Sequence, residues 1–209
     1  MPTTNQNNLI ELSESVQNHQ HFKIFKPYNC LSQFVQERMK KKKLLGDFYD
    51  FPDGTMAIGR LDHDSEGLLL LTTDGMMSHK IREKGIEKEY YLQVDGEITQ
   101  DAIFQLQNGV EITVSGTKYQ TLPCKAFILE SEPALPTRGR NIRHERHGST
   151  SWLSITLCEG KKRQIRKMTA AVGFPTLRLV RVRIGGIYID SMNVGDVVAL
   201  PNVNDALNS

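Results

Sequence analysis

The chain has 209 residues, 39% of them hydrophobic and 24% charged, with a formal net charge of +2. That length accommodates one large domain or two small lobes sharing a core. No apolar run approaches the roughly 20 residues that a membrane span needs, and the polar first 20 residues lack the apolar stretch of a signal peptide, so a cytoplasmic protein is expected.

Residues 1–20, rich in Asn, Gln, Ser and Glu, read as a disordered tail. Order is expected from His21, where His21-Phe22-Lys23-Ile24-Phe25 alternates as a strand does. Lys26-Pro27-Tyr28-Asn29 ends that strand with a turn, and Asn29 tolerates a left-handed backbone. The lysines at 40–43 fall in a loop or a fraying helix end, and Asp53-Gly54 marks another turn. Leu68-Leu69-Leu70-Leu71 is a short continuous apolar run, the pattern of a strand buried on both faces. Thr73-Asp74-Gly75 closes it, and a helix is expected over 76–83.

A strand follows at Glu89–Val94, then a helix from Gln100 to about Asn108, capped by Thr99 and stopped by Gly109. Two more strands are expected at Cys124–Ile128 and Ser151–Leu157, and the proline, glycine and arginine content of 131–150 between them marks a long functional loop. Gln164 to Val172 has helical spacing through Ile165, Met168 and Val172, with Gly173 and Pro175 as stops. Leu177–Ile184 alternates Leu-Arg-Leu-Val-Arg-Val-Arg-Ile, the pattern of a strand with one cationic face, and Val194–Leu200 is the last strand. Strands dominate and a strict βαβ rhythm is absent, so the fold class expected is α+β around a largely antiparallel sheet.

The charge distribution says more than its total. Arg38–Lys43 holds five cations in six residues, Arg138–Arg146 four arginines and one acid, and Lys161–Arg183 eight cations and no acid. Such clusters build local positive potential and suit phosphate contacts, although each alone is also a solvated face. Cys30, Cys124 and Cys158 are odd in number and lack CxxC spacing, so single reduced thiols in or near the core are expected rather than a zinc site or disulfides.

Three segments carry chemistry. Gly59-Arg60-Leu61-Asp62-His63-Asp64-Ser65-Glu66-Gly67 places carboxylates in a glycine-bounded turn just before a buried strand, where an acid can point into a cleft while the strand fixes its position. Asp-x-Asp also serves as a turn former or a metal site, and either Asp64 or Ser65 is expected to cap the turn. Glu159-Gly160-Lys161-Lys162-Arg163-Gln164-Ile165-Arg166-Lys167-Met168 places cations outward on a helix anchored by Ile165 and Met168, with Arg166 able to turn inward and pair with a carboxylate. In Lys88-Glu89-Tyr90-Tyr91 the two tyrosines point to opposite faces of a strand, one into the core and one free to stack on a base.

The string GRLDHDSEGLLLLTTDG at 59–75 resembles the signature of the pseudouridine synthases that modify ribosomal RNA, in the branch containing the small-subunit enzyme A and the large-subunit enzymes B, E and F. Lys26-Pro27, Lys88-x-Tyr90 and EGKKRQIRKM followed by VGFPTLRLVRVRIG are similar to further motifs of that family, in the same order, and the likeness spans about residues 22–200. The segment from Arg143 to Leu179 resembles the E-type most, which acts on 23S ribosomal RNA and lacks the small N-terminal RNA-binding domain of several relatives. The resemblance implies the family's fold, a mixed sheet in two lobes with the active-site cleft between them, and one catalytic domain over 21–203 behind a 1–20 tail.

It also implies roles. Asp62 is the nucleophile, Tyr90 packs against the target base and Arg166 pairs with Asp62. Arg60, Lys26, Lys88, Lys162, Arg163, Arg178, Arg181 and Arg143 are then the expected RNA contacts. The implied partner is large-subunit ribosomal RNA, bound by a cytoplasmic monomer without a membrane. Moving uracil from an N1 to a C5 linkage transfers no electrons and imports no group, so no cofactor or metal is expected. The chain departs from the family pattern at Asn29, where many members have glycine, at Lys161-Lys162, and in the lysine run at 40–43. Two other readings compete: a non-catalytic RNA-binding or ribosome-assembly protein with the same fold, and a metal-dependent nuclease using Asp62 and Asp64.

Overall fold

The computed structural model describes residues 19–35, 42–83, 85–138, 142, 148–201 and 203. The expected tail, apart from 19 and 20, therefore lies outside the described residues, as do Lys40, Lys41 and Arg143. The elements in chain order are β1 (His21–Lys26), β2 (Met56–Ile58), β3 (Glu66–Thr72), α1 (Gly75–Glu83), β4 (Lys88–Asp95), α2 (Gln100–Asn108), β5 (Glu111–Val114), β6 (Thr117–Gln120), β7 (Lys125–Leu129), β8 (Thr150–Leu157), α3 (Gln164–Ala171), β9 (Thr176–Ile184), β10 (Ile187–Tyr188) and β11 (Val197–Leu200). Among the described residues no helix is long and apolar enough to cross a membrane.

One large sheet runs β11-β1-β3-β9-β4-β8-β7, with β2 also paired to β3 and β10 to β9. Every pairing between these strands is antiparallel except β3 with β9, which meet in parallel through Glu66 opposite Val180 and Gly67 opposite Arg181. That short parallel seam joins two antiparallel halves, and the α+β expectation holds. Both faces of the central strands are covered. Leu69 and Leu71 pack with Tyr90, Leu92 and Leu179 on one face, while Leu68 and Leu70 join Met77 and Ile81 of α1 on the other. Complete burial of four successive leucines stabilises the sheet by roughly 1.5–3 kcal/mol each. This explains a continuous apolar run where a half-solvated strand would alternate.

Local signals place several elements as expected. Asn29 is left-handed, with φ 59°. Thr99 accepts a hydrogen bond from the Ala102 N–H and Gly109 follows α2 at φ 88°. Ile165 and Met168 bury one side of α3. The β5–β6 hairpin was not anticipated, although Ile112-Thr113-Val114 alternates and Ser115-Gly116 supplies two positive φ angles, 50° and 85°, for a tight turn. The last strand is shorter than expected because residues 194–196 form a turn that exchanges backbone hydrogen bonds with Phe25. Of the thiols, Cys30 is buried and Cys124 half-buried as expected, whereas Cys158 is exposed; none forms a disulfide.

The single cationic face expected on β9 does not form. Arg183 lies opposite Glu89, Arg181 opposite Tyr90 and Arg178 opposite Gln93, with irregularities in the β4–β9 register between Glu89 and Tyr90 and between Gln93 and Val94. The three-residue spacing of Arg178 and Arg181 already puts them on opposite faces, and the bulge between Arg181 and Arg183 shifts the alternation by one residue, so Arg181 shares the face of Tyr90 while Arg183 joins Arg178 on the other.

Candidate active site

The site is built on the turn between β2 and β3. Asn29 donates its backbone N–H to the His63 carbonyl at 2.6 Å, and the Ser65 N–H closes the turn onto the Asp62 carbonyl at 3.0 Å. The buried Ser32 hydroxyl donates to the Leu61 carbonyl at 2.8 Å and accepts the Leu61 N–H at 3.0 Å. Asp62 thus sits on a backbone held from both sides, with its side chain 33% exposed at a cleft of about 530 Å³. Tyr90, Leu157, Ile165 and Leu179 supply apolar walls, while Arg60, Lys161, Lys162 and Arg163 supply cations at the rim. Tyr91, on the opposite face, packs against Phe25, Val180 and Val182.

The second acid of the turn, Asp64, is held by arginines. Its two carboxylate oxygens accept from Arg163 Nη1 and Nη2 at 2.8 and 2.9 Å, and Arg166 Nε lies 3.6 Å away. Arg163 achieves this from a left-handed backbone, φ 55°, immediately before α3. Such a conformation costs a non-glycine residue energy and persists where its surroundings compel it. Burial pushes the Asp64 carboxyl pKa up, but the hydrogen bonds and charges of Arg163 and Arg166 outweigh that and bring it to about 2.

Arg166 does not pair directly with Asp62 as expected. It donates through Nη2 to the Asp64 carbonyl at 2.8 Å and to the Ser65 hydroxyl at 3.4 Å, and through Nη1 to the Thr176 carbonyl at 3.3 Å. The guanidinium that reaches Asp62 is that of Arg163, with Nη1 3.7 Å from a carboxylate oxygen. The reason is placement. Arg166 stands one helical turn deeper than Arg163, where its planar fork meets the backbone of the turn and not its tip. Glu159 secures the opposite rim, accepting from the Tyr119 hydroxyl, the Leu122 N–H and Gln164 Nε2.

Several expected RNA contacts occupy other roles. Lys26 is fully buried and donates to the carbonyls of Pro27 and Cys30, so it holds the turn that carries Asn29. Burial pushes its ammonium pKa down to about 8. Arg178 is buried against Glu66, both contacts at 3.2 Å, and donates to the Pro136 carbonyl. Arg181 is buried and donates to the Leu68 carbonyl. None of these three offers its donors to a phosphate in solvent. Lys88 is half-buried and donates to the Ile86 carbonyl. Arg60, Lys162 and Arg163 line the cleft. Sequence reasoning overlooked Ser32, Glu159 and the Asp64 ion pairs, because each joins segments 29 to 102 residues apart.

A sequence model of the RNA pseudouridylate synthase family matches residues 20–171. The chain belongs to the RNA pseudouridylate synthase family. It is 40% identical over 169 residues to ribosomal large subunit pseudouridine synthase E of Xanthomonas axonopodis pv. citri, covering 80% of this chain and 86% of that one. It is 39% identical over 181 residues to the protein of the same name from Vibrio vulnificus, covering 85% and 74%. A crystal structure of a pseudouridylate synthase superposes with a TM-score of 0.69 at 27% identity, over 87% of this chain and 70% of the other.

For a pseudouridine synthase built this way, Arg166→Leu removes two hydrogen bonds from the turn and one from Thr176, while Arg163 still reaches Asp62. The expected result is a loss of turnover of roughly a hundredfold with RNA affinity retained; near-normal turnover would count against the bracing role. The Asp64 pairing gives a second expectation. Its folded pKa lies below the ordinary value of 3.8, so the stability it contributes is present above that value and lost as pH falls toward about 2. Urea unfolding should show wild type ahead of Asp64→Asn by on the order of 2 kcal/mol at pH 5. By pH 2.5 most of that gap should close, whereas a constant gap would mean that the pairing does not form in solution.

Proposed function

We propose that this pseudouridine synthase isomerises one uridine of 23S ribosomal RNA, with Asp62 as the nucleophile and Tyr90 packed against the target base. The observation that carries the reading is the placement of the Asp62 carboxylate at the cleft that Tyr90 lines, with the Arg163 guanidinium 3.7 Å away. The relatives named for the large ribosomal subunit support the choice of substrate.

Pseudouridylation breaks the N1–C1′ bond, turns the uracil, and joins C5 to C1′. An adduct at C1′ and a glycal formed by loss of a sugar proton both begin with a carboxylate beside the ribose. The Arg163 guanidinium at this distance gives that carboxylate a cationic neighbour. The apolar walls exclude water from the base. Flipping a uridine from its stack costs a few kcal/mol, and packing on an aromatic ring returns about 1–3 kcal/mol of it. Arg60, Lys161 and Lys162 at the rim suit the flanking phosphates. The Asp64 carboxylate is taken up by Arg163 and Arg166, which leaves the nuclease reading without its second metal ligand.

In this reading residues 21–203 form the catalytic domain, acting as a cytoplasmic monomer without a cofactor. The decisive experiment maps pseudouridine in 23S ribosomal RNA from cells with and without the protein. Disappearance of one position, restored by the wild-type gene, is the expected result, and an unchanged map would overturn the proposal.

A further inference from the structure

Arg138 stands at the start of the arginine cluster and, by charge pattern, reads as a phosphate contact. Its surroundings argue otherwise. Its side chain is only 9% exposed, its guanidinium carbon lies 3.6 Å from the centroid of the Tyr28 ring, and its Nε is 3.5 Å from a carboxylate oxygen of the buried Glu66. A planar guanidinium stacked on an aromatic face with a carboxylate alongside is an arrangement that an ammonium cannot reproduce. The two partners matter by position. Tyr28 precedes Asn29, whose N–H holds the His63 carbonyl. Glu66 begins β3 four residues after Asp62 and lies in the parallel seam with β9. Arg178, also on Glu66, ties the Pro136 carbonyl to the same point. The catalytic turn is therefore gripped by Arg163 at the cleft, by Ser32 and Arg166 on its backbone, and through Tyr28 and Glu66 by Arg138, which neither contacts Asp62 nor lines the cleft.

We infer that Arg138 is a positioning residue for the catalytic turn, acting by joining Tyr28 to Glu66, and not a contact to RNA. The inference rests on the reading of Asp62 as the nucleophile. It separates two effects that a phosphate contact and a positioning residue would move differently. Loss of a phosphate contact weakens RNA binding and lowers its salt dependence while turnover is unaffected. Loss of positioning lowers turnover with RNA binding intact.

The test measures kcat, RNA affinity and amide hydrogen exchange in wild type, Arg138→Gln, Tyr28→Leu and Tyr28→Phe, on one 23S ribosomal RNA transcript. Arg138→Gln is expected to lower kcat roughly tenfold with affinity within about twofold of wild type. The Asn29 and Ser65 amides, which close the turn, should exchange faster. Tyr28→Leu should reproduce both changes and Tyr28→Phe, which keeps the ring, should reproduce neither. If Arg138→Gln fails to fold, the two Tyr28 variants decide, since they leave every charge in place. Unchanged kcat in Arg138→Gln, weakened RNA binding at normal kcat, or equal behaviour of the two Tyr28 variants would overturn the inference. A wild-type protein that makes no pseudouridine would instead overturn the catalytic reading, and the exchange data would still judge the bracing.

Discussion

Asp62→Asn is expected to leave a folded, RNA-binding protein whose pseudouridine formation has fallen on the order of a thousandfold or more. The substitution keeps the shape of the side chain and removes the charge. Among the described residues Asp62 makes one ion pair, at 3.7 Å and one-third exposed, so its loss changes stability by less than about 1 kcal/mol. The neighbouring acid is the natural control. Asp64→Asn removes the carboxylate from Arg163 and Arg166 and should lower stability by on the order of 2 kcal/mol. Two carboxylates separated by one residue thus predict opposite phenotypes, one chemical and one structural. Product formation on a 23S transcript, measured beside a urea unfolding curve for each variant, separates them. Turnover by Asp62→Asn within tenfold of wild type would remove Asp62 from the nucleophile's role.

Gly67→Ala is expected to be among the most damaging single substitutions for stability. Gly67 has φ +100°, and a Cβ built there would lie 2.3 Å from the Arg181 carbonyl oxygen, 2.8 Å from the Arg181 nitrogen and 2.9 Å from Val180 Cγ1. Two of those atoms are backbone in the β3–β9 seam and cannot rotate away. Strain at a positive φ and overpacking together cost about 3–5 kcal/mol. For a domain of this size the thermal midpoint should fall by roughly 10 °C. The seam lies directly behind the catalytic turn, so turnover should also fall at temperatures where the variant is still folded. A stability loss below about 1 kcal/mol in urea would show that the two halves of the sheet do not meet as closely as described.

Much of the site was legible before any coordinates. The turn carrying Asp62, the opposed faces of Tyr90 and Tyr91, the Thr99 cap and the apolar stripe of α3 are local matters. Each depends on side-chain spacing or turn chemistry within a few residues, and the structure agrees on each. The misreadings concern cations. Lys26, Arg138, Arg178 and Arg181 look in sequence like a positive surface, yet all four are largely or fully buried, on carbonyls, on Glu66 or on Tyr28. A charged side chain shows its sign in the sequence but not its partner, and partners such as Glu66 and Arg178 lie 112 residues apart.

The sequence by itself determined most of the elements, the family and the candidate nucleophile, because hydrophobic period, capping residues and a dense motif act over short stretches of chain. Only the tertiary structure decided which arginine reaches Asp62, that Asp64 is a structural acid, and that a bulge sets Arg183 on the face of Arg178 and not on that of Arg181. Those outcomes depend on register and on where separate strands meet. A shift of one residue reverses the face on which a side chain stands, and that choice is made by packing across the whole sheet.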